Sequence, residues 1–592
     1  MPDALLASGS AFDRNRAKLG AWLREQGVKP RPLSEAELVV YGAHRGFRAG
    51  WAVDAELHGQ VYRLEVLVDA QFPYSAIRIA LRSHDVYLQW PHVESAGVLC
   101  LPNLPPPSIN VADAAQASLF YAGELIAQCQ EPAYVQDELQ REFLSYWDHS
   151  VSSGEKRVRS LLDLANRNAR VISVWFGKSF VLVGENDEIL RRWLESQGAE
   201  KQLHFARGVF GYLGQPPLPP FPASPTQLIA LLAQHAPDAC RLLESAPLQG
   251  DMIVVLVAHA PSGDGLIAAR ITEPSTKGFR DREARRPDHK MTLWRLRSHL
   301  HRLQVDRFDA AWIHGRGKNQ HIQTLQQAKV LVIGCGSLGS QVAVRLAQAG
   351  VGTLDVVDPD SLSAANVGRH ALGVRSMTRG NAKATALARE ILQRFPHLTA
   401  VTGHDVSWQA LYTRQPQLFE QSDLIVACLG EWASDGQLAE WQRRSGVNRA
   451  IVYGWLEEMG SAAHAVALAG KGPSLTCLLT ADGAMRTPET HWPTEGQMRS
   501  EPACGTLYQP YGPVDVAYAE LLVTQLCLDV LTGAALPPTH RVWATATTKL
   551  VAAGGQWSED HRAVRPLGLE GAFEYERPLS HCEVCDACQA AP

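Results

Sequence analysis

Apolar residues recur with helical spacing over 12–26, alternate with polar ones over 47–57, 61–67 and 77–81, and return to helical spacing over 113–130 and 135–147. That succession predicts an N-terminal α+β domain over 1–150. From 151 to 301, strand-like runs at 171–176, 180–183, 252–259 and 266–271 are interleaved with helical ones at 189–197 and 226–235. The mixture predicts a middle α/β linker domain that spaces or docks the two ends. From 302 to 592 the pattern changes again. The apolar run Val330-Leu-Val-Ile333 is followed by Gly334, Gly336 and Gly339, a helical run over 340–349 and a second strand over 354–358.

This last stretch predicts a Rossmann-like α/β domain with a nucleotide site. Gly334 permits a tight turn, Gly336 lets backbone amides approach a phosphate, and Gly339 allows the helix to lie close on the strand. Asp358, at the end of the second strand, is placed to hold ribose hydroxyls. Taken alone, these features describe an NAD or FAD site. The residues that follow point elsewhere: Asp358-Pro-Asp360, Asn366-Val-Gly-Arg369 and then Lys383. Cations gathered here suit an enzyme that splits ATP between its α and β phosphates, where charge shifts as pyrophosphate leaves. The glycine loop, D-x-D, N-x-x-R and lysine, in that order, resemble the ThiF and MoeB adenylating family, which includes ubiquitin-activating enzymes.

Length and composition fit that reading. The 592 residues allow several domains, and a net charge of -5 with 20% charged and 46% hydrophobic residues is ordinary for a globular protein. No basic excess calls for nucleic acid, and no apolar run is long enough to span a bilayer. The N-terminal residues are too acidic and too short for a signal peptide. Eleven cysteines in a chain of this size read as thiols or metal ligands rather than a disulfide framework, so a cytoplasmic setting is expected.

Within the first domain, Cys100 stands at the edge of a loop, between Gly97-Val-Leu and Leu101-Pro-Asn-Leu-Pro-Pro-Pro. A thiol there can be reached. Phe72-Pro-Tyr-Ser-Ala-Ile, Trp90-Pro-His92 and Gly97-Val-Leu-Cys100-Leu occur in the order of the turn, HPN motif and active-cysteine loop of a ubiquitin-conjugating (UBC) domain, which this region resembles. The resemblance makes Cys100 the acyl-carrying thiol. It also places His92 where the family has asparagine, so His92 is expected to serve the active loop or the oxyanion by hydrogen bonding.

The ThiF resemblance extends further along the chain. It implies that Arg307 reaches ATP phosphates, and that Glu431 serves Mg²⁺ because Gly430 occupies the usual aspartate position. It makes Cys504, in a Gly-rich crossover loop ahead of Gly512-Pro513, a thiol that takes the activated acyl group. It further implies a structural Zn²⁺ held by Cys477, Cys582, Cys585 and Cys588. Cys129, Cys240, Cys335, Cys428 and Cys527 read as packing residues.

The two modules on one chain resemble the bacterial conjugation proteins of CBASS anti-phage operons, which act on a partner cyclic-oligonucleotide synthase (CD-NTase), and related ubiquitin-like conjugation systems. The resemblance implies a protein substrate with an exposed C-terminal tail, an acceptor amine on a second protein and a homodimer, with ATP and Mg²⁺ as cofactors. Nucleic acid and membrane are not expected as partners. The alternatives are a sulfur-carrier activating enzyme whose first domain only docks a partner, and a non-catalytic scaffold.

Overall fold

The computed structural model describes residues 11–579 apart from 58, 83–85, 102, 104–107, 200–201, 247–249, 276–286, 316–319, 378–381, 446–447, 471, 481–482, 494–498, 501–506 and 509. It forms two compact units, one of Met1–Arg159, Leu164–Val183 and Phe205–Asp306, the other of Ser160–Asp163, Gly184–His204 and Arg307–Pro592. Among the described residues no helix is long and apolar enough to cross a membrane.

In the first unit, β1 (Arg31–Pro32), β2 (Phe47–Leu57), β3 (Gln60–Asp69) and β4 (Arg78–Leu81) form a sheet in chain order, with every pairing antiparallel. The alternation seen in the sequence places Val53, Leu64, Val66 and Ile79 in one core with Leu19 and Leu23 of the first helix and Ala115, Ala122 and Ile126 of helix Val111–Gln128. Asn110 caps that helix, accepting from the Ala112 amide at 3.1 Å.

A second sheet contains β5 (Arg157–Ser160), β6 (Arg170–Phe176), β7 (Phe180–Gly184), β8 (Ala206–Leu213), β9 (Met252–Ala260), β10 (Gly263–Ile271), β11 (Leu300–Leu303) and β12 (Val305–Arg307), in the order β11-β10-β9-β8-β6-β7-β5-β12. Helices Pro132–Arg141 and Phe143–His149 join the two sheets of this unit. Leu139, Phe143 and Trp147 recur every four residues and are buried with Val254, Leu256 and Ile267 of the second sheet. Glu138, Glu142 and Tyr146 make a second row at the same spacing, and this row meets His92.

The second unit is built on β13 (Lys329–Ile333), β14 (Thr353–Val357), β15 (Ala400–His404), β16 (Leu424–Ala427), β17 (Ala450–Leu456) and β18 (Ala462–Leu468), ordered β15-β14-β13-β16-β17-β18. Strands Thr539–Ala544 and Phe573–Glu576 complete the sheet. Pairing is parallel from β15 to β17 and antiparallel from β18 onward. Val330, Leu331, Val332 and Ile333 are all buried because helices cover both faces of the parallel strands, so their run is continuous rather than alternating. Strand order reverses at β13, which opens a crevice beyond the C-terminal ends of β13 and β16.

Candidate functional site

The glycine loop enters this crevice from β13. Gly334 lies at φ +87, and a Cβ there would meet the Cys428 carbonyl oxygen at 2.6 Å. At Gly339 a Cβ would press into the Gly334 carbonyl oxygen, so helix Ser337–Ala349 can lie against the strand only with glycine at this position. Gly336 differs: a Cβ there would meet nothing within 4 Å. Its open side faces a cavity of about 830 Å³ lined by Ser337, Gly430, Asp435, Tyr453, Glu457 and Tyr511 among others. Together, an open-sided glycine, a helix N-terminus and a cavity of this size fit a nucleotide triphosphate.

Asp358 is 6% exposed and holds the loop through both carboxylate oxygens. One accepts from the Cys335 amide at 2.7 Å and the other from the Asp360 amide at 2.8 Å. Burial raises its pKa, while those two amides and Lys383 pull it down. Lys383 opens helix Lys383–Arg394 and is buried, with Nζ 3.0 Å from the carboxylate of the exposed Asp360. Asn366 uses its side-chain oxygen locally, accepting from the Ser363 amide and hydroxyl, both at 3.0 Å. The Arg369 guanidinium lies 4.6 Å from the centre of the Tyr511 ring, whose hydroxyl is 3.0 Å from Ser337 Oγ.

His370, which sequence reasoning missed, locks this arrangement. Its Nε2–H donates to the Cys335 carbonyl at 2.6 Å, and its Nδ1 accepts from the Leu372 amide at 3.0 Å. The two bonds fix one neutral tautomer, and burial lowers the ring's pKa accordingly.

Two expected phosphate and metal residues have other surroundings. Arg307 forms a bidentate pair with Asp309 at 2.8 and 2.9 Å and lies over the Trp312 ring at 4.7 Å, so its fork has a partner within its own chain. Glu431 is exposed at the start of helix Trp432–Arg444, after Gly430 at φ +66. Asp435, one turn further on, lines the cavity together with Glu457 and Glu458, and its buried Oδ1 has no hydrogen-bond partner. No local signature marks Asp435; only the helix that follows Gly430 brings it round to the crevice.

Burial, and secondarily the charge of Glu431, push the Asp435 carboxyl up to about 7. A carboxyl raised in the fold contributes stability that is complete below its unfolded pKa and is lost as pH rises through the folded value. Between about pH 5 and about pH 8, in buffer free of nucleotide and Mg²⁺, the wild-type Tm is expected to fall relative to that of Asp435→Asn. A Tm difference that does not change over this range contradicts the assignment.

Cys100 is exposed, and its amide donates to the His92 carbonyl at 2.8 Å. His92 itself lies at φ +60, which costs a residue with a Cβ about 1–2 kcal/mol. Its side chain is 3% exposed, with Nε2 at 3.3 Å from Glu138 and Nδ1 at 3.2 Å from Glu142. Of the two roles expected of His92, the active loop or the oxyanion, its contact with Cys100 is on the loop side: His92 meets Cys100 through its main chain, and the ring is turned into this acidic network. Glu138 and Glu142 carried no motif, although their four-residue spacing with Tyr146 was visible.

Cys477 is buried in the short helix Leu475–Leu478, its sulfur accepting from the Ser474 amide at 3.4 Å. Cys504, Cys582, Cys585 and Cys588 lie outside the described residues. Cys129, Cys240, Cys335, Cys428 and Cys527 are buried.

Residues 313–553 match the ThiF family model, and residues 31–154 match the model of prokaryotic E2 family B. The chain therefore joins an E2-like domain to a ThiF-type α/β domain. Among its curated relatives are the adenylyltransferase and sulfurtransferase uba4 of Emericella nidulans and the ATP-dependent ubiquitin transferase-like protein Cap2 of Enterobacter hormaechei. The first is 38% identical over 106 residues, 18% of this chain and 21% of that protein. The second is 31% identical over 120 residues, 20% of this chain and 19% of that protein. The chain thus spans about a fifth of the length of the curated relatives it matches. A solved structure of E. coli MccB with ATP is similar at a TM-score of 0.30 and 17% identity, covering 45% of this chain and 68% of that one.

Proposed function

We propose that this protein activates the C-terminal carboxylate of a partner protein with ATP and passes the acyl group through cysteine thioesters to an amine. The observation that carries the reading is the crevice at β13, where an open-sided Gly336 and a helix N-terminus meet one cavity, with Lys383 near enough to Asp358, the carboxylate that holds the glycine loop, to lower its pKa. Support also comes from the E2-like domain on the same chain and the similarity to Cap2.

In this reading a partner carboxylate oxygen attacks the α-phosphorus of ATP. The bond to the bridging oxygen breaks, and pyrophosphate leaves with its charge offset by Lys383 and Arg369. Asp358 positions the loop and the ribose, while Asp360 orients Lys383. Mg²⁺ would offset phosphate charge in the same crevice, where Asp435, Glu457 and Glu458 line the cavity and Glu431 lies one turn before Asp435. A cysteine thiolate, assigned to Cys504, then attacks the adenylate carbonyl and AMP departs. Exchange to the Cys100 thiolate and attack by an acceptor amine complete the transfer, each step releasing the previous sulfur. A neighbouring cavity of about 430 Å³, which shares Trp492 and Tyr511 with the first and is lined by Arg369 and Lys549, is assigned to the partner's tail.

The division into 1–150, 151–301 and 302–592, the homodimer, the cytoplasmic setting and the CBASS partner belong to this proposal. So does a structural Zn²⁺ at Cys477 and the tail cysteines. Replacing Cys100 by alanine is the test. The conjugation reading predicts complete loss of amine-linked product with ATP–pyrophosphate exchange retained. The sulfur-transfer reading, favoured by the similarity to uba4, predicts no change in thiocarboxylate formation, and an absence of exchange in the wild type removes both.

A further inference from the structure

The network beneath the Cys100 loop presents a charge problem that the proposed chemistry does not explain. A neutral imidazole carries one N–H, so it can satisfy one carboxylate. Here carboxylate oxygens lie at both ring nitrogens, Glu138 Oε2 at 3.3 Å from Nε2 and Glu142 Oε2 at 3.2 Å from Nδ1. One of them must then face a lone pair unless another cation enters, either a second ring proton or a metal ion.

Two observations favour a metal. The Nδ1 atom is buried and has no hydrogen-bond partner despite its closeness to Glu142, so that approach lacks the direction of an N–H···O bond. One ligand atom each from His92, Glu138 and Glu142 also lies within 4.8 Å of the other two. Metal–ligand bonds of about 2.0–2.2 Å at tetrahedral angles put neighbouring donors roughly 3.3–3.6 Å apart; an ion takes one ring nitrogen only, so one nitrogen–oxygen separation already has about that value and the other carboxylate closes on the ion from within 4.8 Å.

An outer set of partners is present too. Tyr146 donates its hydroxyl proton to Glu142 at 2.9 Å while accepting from the His92 amide at 2.8 Å, and Arg141 lies 3.1 Å from the other oxygen of Glu138. Such contacts orient ligands and offset their charge.

We infer that His92, Glu138 and Glu142 form a divalent-cation site of the zinc class, with one imidazole and two carboxylate donors, on the buried side of the Cys100 loop. Through the hydrogen bond from the Cys100 amide to the His92 carbonyl, an ion here fixes the main chain that carries the exposed thiol. The site is separate from any thiolate zinc site at Cys477, since it uses only nitrogen and oxygen.

The test uses the full chain, stripped of metal by a chelator, free of nucleotide and titrated with Co²⁺. Thiolate-bound Co²⁺ absorbs strongly in the near ultraviolet, whereas Co²⁺ on nitrogen and oxygen shows only weak visible bands. The wild type is expected to bind one equivalent without thiolate absorption. His92→Asn and Glu142→Gln are each expected to lose that equivalent while keeping any thiolate-associated signal. Glu142→Gln retains an oxygen to accept from Tyr146 and serves as the milder variant, with thermal melts reporting the fold. Equal stoichiometry in wild type and a folded variant overturns the inference. So does the absence of a thiolate-free equivalent in the wild type, which would assign the cluster to a doubly protonated ring. Neither readout depends on conjugation activity, so failure here leaves the proposed function standing.

Discussion

Gly336→Ala and Gly339→Ala, three residues apart in one loop, are expected to fail in different ways. At Gly339 the new methyl meets the Gly334 carbonyl, so helix and strand must separate. Overpacking against backbone is expected to cost about 3 kcal/mol or more, and ATP–pyrophosphate exchange is lost together with the melting transition of the second unit. At Gly336 nothing lies within 4 Å, and φ of -74 is accessible to alanine. Thermal stability is therefore expected to stay within about 0.5 kcal/mol of wild type. The methyl instead occupies the approach of a phosphate to the backbone amides, and exchange is expected to fall by about 10²-fold, the effect of losing donors at developing charge. Equal destabilisation by the two substitutions contradicts this account of the loop.

The second large effect concerns Lys383. Its partner Asp360 has a side chain 68% exposed, so the ion pair itself contributes only about 0–1 kcal/mol to stability. Lys383 itself, by contrast, is buried and lies close to Asp358, which holds the glycine loop. Removing one such preorganised charge costs about 10²–10³-fold in rate, or roughly 3–4 kcal/mol of transition-state stabilisation. Lys383→Ala is thus expected to melt near the wild-type temperature and to lose exchange by about that factor. A variant that retains exchange within about threefold, or one that unfolds, contradicts the role given to Lys383.

The nucleotide half of the site was readable because its chemistry is local. Three glycines, an aspartate at a strand end and a lysine opening a helix each have a meaning fixed by a few neighbouring residues, and β13 announced itself as a continuous apolar run. The features that escaped depend on tertiary approach. His370 matters because its ring reaches the Cys335 carbonyl across the fold. Asp435 matters because the helix after Gly430 turns it into the cavity. At Cys100 the sequence identified an accessible thiol but not the helical row of Glu138, Glu142 and Tyr146 that meets His92. That pairing joins residues far apart in the chain, so no local pattern records it. Arg307 shows the reverse case, since its position matched a motif while its guanidinium is engaged by Asp309.

The central claim is that one chain carries an acyl group from adenylate to the Cys100 sulfur. Full-length protein is incubated with ATP, Mg²⁺ and a partner bearing a free C-terminal tail, then resolved without reductant and mapped by mass spectrometry. The account predicts an ATP-dependent partner adduct on Cys100 that disappears on adding thiol and is absent from Cys100→Ala. A partner that is adenylated, as shown by pyrophosphate release, yet never appears on Cys100 would contradict it.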